Sequence, residues 1–189
     1  MALTKIQTLG ITDGTIVNAD INASAAIDST KLTGVGKVLQ VVSAVKTDRQ
    51  TTTSNNSFTD ISGLSVSITP SSASNKVLVL FTVNTAASIN DHSGIKLLRG
   101  ATDIFIGDAS GTMFRIFSSW RSMTDTQYHT QPLAGMFLDS PSTTSATTYK
   151  IQISGNSTVY VNRPSAYDDQ TSVQRTTGSS SITVMEIAA

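Results

Sequence analysis

The sequence of 189 residues contains no cysteine, which excludes disulfide staples and thiolate metal centres and leaves the redox compartment open. Charge is scarce: 13 basic residues balance 13 acidic ones, and charged residues make up 14% of the chain. Bulk electrostatics therefore offer no footprint for nucleic acid or for an anionic membrane surface. Histidine occurs only as His92 and His129, tryptophan once, and aromatics total 6%. No apolar run approaches the roughly 18 residues of a membrane-spanning helix. The opening MALTKIQTLG also lacks the continuous apolar stretch of a secretory signal, so assembly in the cytoplasm without membrane insertion is expected. What takes the place of charge is hydroxyl. The 27 serines and 28 threonines favour strands and turns over helices.

Residues 1–35 carry a separate rhythm. Large aliphatics recur as Ile6, Ile11, Ile16, Ile21, Ile27 and Leu32, in four steps of five and one of six, with Ala26 in the fifth place of the longer interval. Neither a strand of period two nor a helix of period 3.6 keeps such a stripe on one face. The spacers are rich in Asp, Asn and Gly, which bend a chain, and one bend or bulge per repeat would return each aliphatic to the same side. A single thread of this kind cannot offset the ordering cost of roughly 1–2 kcal/mol per residue. Three copies about a common axis can bury the stripe against itself and pair open backbone groups between chains. The expectation is an extended stalk, ordered as a homotrimer, with those six residues as its contacts. A disordered leader and a short helix over Ser24–Leu32 capped by Asn22 or Ser24 are the alternatives.

From Gly36 onward short strands alternate with turn clusters. Candidates are 37–45 (KVLQVVSAV), 64–69 (LSVSIT), 76–84 (KVLVLFTVN), 94–98, 103–106, 112–119, 132–138, 147–154, 158–162 and 181–187 (SITVMEI). Turn chemistry separates them at TPSSASN, GDASG, SPSTTS and GN. About ten short strands and no convincing long helix predict an all-β domain over residues 36–189, an antiparallel jelly-roll sandwich.

The repetitive leader ITDGTIVNADINASAAIDSTKL, the strand opening KVLQVV, the middle motif ITPSSASNKVLVLFTV and the closing TVMEI together resemble fibre-type virion proteins of tailed bacteriophages, particularly those of marine bacteria. The resemblance spans most of the chain and identifies a class of structural protein rather than an activity. It implies a homotrimeric virion component: a thin N-terminal portion attached to other virion proteins, and a jelly-roll head similar to the tumour necrosis factor type. On that reading the head binds a host-surface glycan. A capsid decoration or head fibre without a receptor role is one alternative, and a polysaccharide depolymerase is another.

Signals for chemistry are weak. Ser43-Ala-Val-Lys46 has the spacing of serine acyl-transfer enzymes, but it lies at the end of an apparent strand and lacks the accompanying motifs. A lone His has no second ligand at helical or strand spacing, and no acidic pair is evident around a scissile bond. No catalytic residue, metal or cofactor is expected. Within Met113 to Arg121 a two-faced strand would place Met113 and Phe117 at a subunit interface of the head, the alternative being a central core strand with solvated arginines. Trp120, Tyr128, Tyr160 and Tyr167 are the candidates for stacking on sugar rings.

Overall fold

The structure is a computed structural model that describes residues 37–123, 127–166 and 176–189. The expected stalk contacts, Ile6, Ile11, Ile16, Ile21, Ile27 and Leu32, therefore lie outside the described residues, and so does Tyr167. Among the described residues there is no helix, and Lys37–Ala189 forms a compact unit.

Eleven strands follow one another: β1 (Val38–Lys46), β2 (Gln50–Thr53), β3 (Thr59–Ile68), β4 (Lys76–Ala87), β5 (His92–Arg99), β6 (Thr102–Ile104), β7 (Ser118–Arg121), β8 (Gln131–Asp139), β9 (Thr147–Ser154), β10 (Thr158–Val161) and β11 (Ser180–Ile187). All pairings are antiparallel. The first sheet runs β1, β11, β4, β8, with β10 and β2 continuing beside the far end of β4. The second runs β3, β9, β5, with β7 and β6 sharing the outer edge of β5. With the short β2, β6 and β10 set aside, the orders are first, eighth, third, sixth and second, seventh, fourth, fifth, which is the jelly-roll arrangement.

Alternation builds the core. In β4 the inward Val77, Val79, Phe81 and Val83 are buried while their neighbours are half-exposed, and in β9 the inward residues are Tyr149, Ile151 and Ile153. Burying each such aliphatic contributes about 1.5–3 kcal/mol. Polar groups also tie the two sheets. Arg99 of β5 donates from Nη1 to both carboxylate oxygens of Asp139 on β8, at 2.9 Å each, and the Tyr149 hydroxyl on β9 donates to Asp139 at 2.6 Å. Burial and the adjacent carboxylate push the Tyr149 hydroxyl well above the usual phenol range, despite the opposing guanidinium of Arg99, so it stays a donor.

Three local outcomes differ from the sequence reading. β3 begins at Thr59 rather than Leu64, because a bulge between Asp60 and Ser65 re-phases the strand. Gly63 supplies the left-handed conformation there (φ 82°), so Ile61 and Leu64 both point inward although they are three apart. β2 is the all-polar QTTT, held by pairing with β10 rather than by any apolar pattern. The strand expected at 112–119 is reduced to Ser118–Arg121, and residues 112–117 form a loop. A close approach explains where that loop ends. A Cβ on Gly135 would lie 2.5 Å from Phe81 and 2.8 Å from Phe117, so its absence lets Phe117 seat edge-on to Phe81 with centroids 5.1 Å apart.

Candidate functional site

The outer face of the first sheet is the largest departure from an ordinary protein surface. Strand register places Val41, Met185, Leu78 and Leu138 in one row across β1, β11, β4 and β8. The next row is Ser43, Thr183, Leu80 and Met136, and the one after it is Val45, Ser181, Thr82 and Ala134. The two edges are the most open: Val41 is 55% exposed, Val45 63%, Met136 64% and Leu138 54%. A shallow depression lined by Leu80, Ala134, Gly135 and Met136 runs along the β4/β8 side. Among the outward residues of these rows none is charged. In the next row along the same face, Lys76 of β4 lies opposite Ile187, and its ammonium donates to Ser140 at 2.7 Å. Edge strands of soluble proteins usually carry outward charges that discourage association, and here they do not.

Behind one end of this face lies a buried carboxylate. Glu186 on β11 is 1% exposed and accepts from Gln40 Nε2 (2.8 Å), the Ser71 amide and hydroxyl (2.7 Å each) and Asn75 Nδ2 (2.6 Å). Burial alone would raise its pKa, but the donors from Asn75, Gln40 and Ser71 prevail and bring it down to about 2. Gln40 belongs to KVLQVV, Ser71 and Asn75 to ITPSSASNKVLVLFTV, and Glu186 to TVMEI, so three separated sequence motifs meet at one side chain. The signal available in the sequence was a charged residue inside an otherwise alternating apolar strand.

The predicted site residues fall in different places. Met113 is 75% exposed in the loop before β7, whereas Phe117 is half-buried among Phe81 and Phe105. Trp120, on β7, packs against the core and donates from Nε1 to Thr85 Oγ1 at 2.9 Å. Tyr160 is half-buried on β10, with the Arg163 guanidinium 5.0 Å from its ring, and it lines a cleft with Ser88, Ile89, Gln127, Ser165 and Ala166. Tyr128, half-buried, follows Gln127 in the chain. Trp120 and Tyr160 thus sit on strands of different sheets. The Ser43 and Lys46 side chains lie on opposite faces of β1: Ser43 is exposed and bonded to Thr183 Oγ1 at 2.9 Å, while Lys46 is buried with its ammonium on Asp48 at 2.8 Å. The spacing of the acyl-transfer motif brings no serine to a lysine here.

No helix of the described residues is long and apolar enough to cross a membrane. No protein-family model matches the chain. No curated protein matches it either. Among solved structures it is similar to one titled as the structure of infectious bursal disease virus Gx strain, at 11% identity and a TM-score of 0.35, over 79% of this chain and 42% of that one. It is also similar to the VP2 subviral particle of infectious bursal disease virus, at 10% identity and a TM-score of 0.32, over 79% and 41% of the respective chains. The chain thus spans about two fifths of the length of these structures. Likeness at this level carries no functional argument.

Proposed function

We propose that the chain is a structural component of a phage virion: a homotrimeric fibre whose residues 1–35 attach it to the particle and whose jelly-roll head contacts a glycan on the host surface. The observation that supports the assembly half is the three uncharged rows, aliphatic at both edges, on the outer face of β1, β11, β4 and β8. A neutral face has no complement in a charged partner, and a second copy of the same face matches it in chemistry. A ring of three copies turns each such face toward the axis and removes the exposed rows from water. The five-residue aliphatic rhythm of residues 1–35 supports the same reading, since a stripe of that kind needs sister chains to be sheltered. Three heads per fibre convert weak single contacts into stable adhesion. The chain acts by binding, without catalysis, metal or cofactor.

Sedimentation velocity of the full chain tests this, with a trimer as the expected species. Replacing Met136 and Leu138 together by Lys in residues 37–189, where no leader can hold the copies together, places two charges in the proposed interface and is expected to turn an associating domain into a folded monomer. A wild-type monomer, or a variant that remains trimeric, overturns the interface. Immunogold labelling of the particle tests the virion role separately, and absence of label from purified virions overturns it.

A further inference from the structure

At one end of the second sheet a cleft of about 200 Å³ forms where several segments converge: the turn after β2 (Asn56, Phe58), the start of β5 (His92), the loop before β7 (Phe114) and the β9–β10 turn (Asn156). Its backbone is fixed from several sides. The Ser54 amide donates to the Ser157 carbonyl at 2.8 Å, the Asn56 amide to the Gly155 carbonyl at 2.7 Å, and the Ser54 hydroxyl to that same carbonyl at 2.7 Å. Asn55 and Asn56 take left-handed conformations (φ 43° and 65°), which asparagine tolerates best after glycine. Asp91, only 6% exposed, accepts from the amides of His92 (2.6 Å), Asn156 (3.2 Å) and Ser157 (2.8 Å) and from the Ser157 hydroxyl (2.6 Å). It is a positioning residue that sets the two walls of the cleft against each other. A Cβ on Gly155 would collide with the His92 carbonyl oxygen, so the walls approach as closely as backbone allows.

The lining has an unusual balance. Phe58 and Phe114 meet edge to face at 6.1 Å, and Phe114 is 60% exposed. The Lys96 ammonium sits 4.2 Å from the centre of the Phe58 ring, but it is already paired with Asp103 at 2.7 Å. No carboxylate, ammonium or guanidinium lines the cleft, so a charged ligand would find no counter-ion there. The side-chain amides of Asn56 and Asn156 and the His92 imidazole make no hydrogen bond among the described residues, although all three line the opening. An amide donates and accepts at once, as a sugar hydroxyl does, and an aromatic face suits the polarised C–H face of a sugar ring. The volume lies below the ~300–1,000 Å³ of sites for drug-sized ligands, which suits one ring rather than an extended oligomer.

We infer that this cleft is a saccharide site for a single neutral hexopyranose unit, with Phe114 as the stacking surface and Asn56, Asn156 and His92 as the hydroxyl-reading groups. The inference rests on the glycan-binding part of the proposed function and locates it away from Trp120 and Tyr160. Saturation-transfer NMR on the full chain, with methyl glycosides of glucose, galactose, mannose and N-acetylglucosamine and a methyl glucuronide as the charged control, tests it. The expected result is transfer to at least one neutral glycoside, weakened about tenfold or more by Phe114→Ala and by Asn156→Ala and unchanged by Tyr160→Ala. Both cleft positions are exposed, and circular dichroism checks that the variants fold. Absence of transfer to every neutral glycoside, persistence in both cleft variants, or preference for the glucuronide overturns the proposal. Sugar binding with no label on the virion would sink the virion role and leave the cleft standing; labelled trimers that bind no sugar would do the reverse.

Discussion

Glu186 is a buried carboxylate held by neutral donors alone, and its hydrogen bonds decide its acid behaviour. Its folded pKa of about 2 lies below the value near 4.5 of an unperturbed glutamate. The unfolded chain therefore takes up the proton first on acidification. The stability contributed by the ionised group is complete above about pH 5 and disappears as pH falls toward 2. Glu186→Gln is expected to cost about 2 kcal/mol or more at pH 7, because one acceptor oxygen becomes an NH2 group facing buried donors, and the gap to wild type should narrow steadily in denaturant titrations at pH 4 and 2.5. A gap independent of pH would contradict the assignment. Asp91 adds stability of the same sign: burial works against its ionised form, but the donors from Ser157, His92 and Asn156 hold its carboxyl below the usual range. Gly135 tests packing rather than charge. Gly135→Ala forces a methyl group against Phe81 and Phe117 and is expected to destabilise by about 1–3 kcal/mol by overpacking, read from the urea midpoint.

At the scale of the element, the strands that the sequence exposes are those whose period-two pattern survives unbroken. β11 alternates from end to end, and β4 and β9 alternate over most of their length, β4 up to its last residues and β9 between its ends, so the predicted limits of all three fall within a few residues of the observed ones. β3 was legible only after its bulge, since Gly63 shifts the phase, and the run from Ile61 to Leu64 read alone has the wrong parity. β2 has no apolar residue to announce it, because its place comes from tertiary pairing. In the 112–117 segment the apolar residues suggested a strand with two working faces. Phe117 instead turns into the aromatic cluster, and Met113 and Phe114 remain outside. The cleft was hidden for a related reason. Its groups come from four distant turns and strand ends that share no spacing, whereas the aromatics chosen from sequence were simply the largest available. The bulge gives a clean test: Gly63→Val places a β-branched side chain at φ 82° and is expected to destabilise by at least about 1 kcal/mol, whereas Ser65→Val on the exposed side of the same strand should be near neutral.

At the scale of the molecule, the core is complete within one head. Its buried cluster runs from Ile61 to Val184 and draws on both sheets. Its polar ties, Asp139 with Tyr149 and Arg99, close within the same chain. Residues 37–189 alone are accordingly expected to unfold in a single cooperative transition, with calorimetric and van't Hoff enthalpies in agreement. Two resolved transitions would show that the sheets are stabilised separately. A single transition would make the proposed association an added layer on a domain that folds unaided.

The collision that excludes any side chain at Gly155 has a consequence for diversification. Substitution at that glycine, or at Asp91 behind it, disturbs the scaffold, whereas Asn56, Phe114 and Asn156 are exposed where they line the cleft. If the cleft holds the proposed saccharide, such a layout separates inheritance of shape from choice of ligand: the rim can drift one residue at a time while the fold beneath it stays the same.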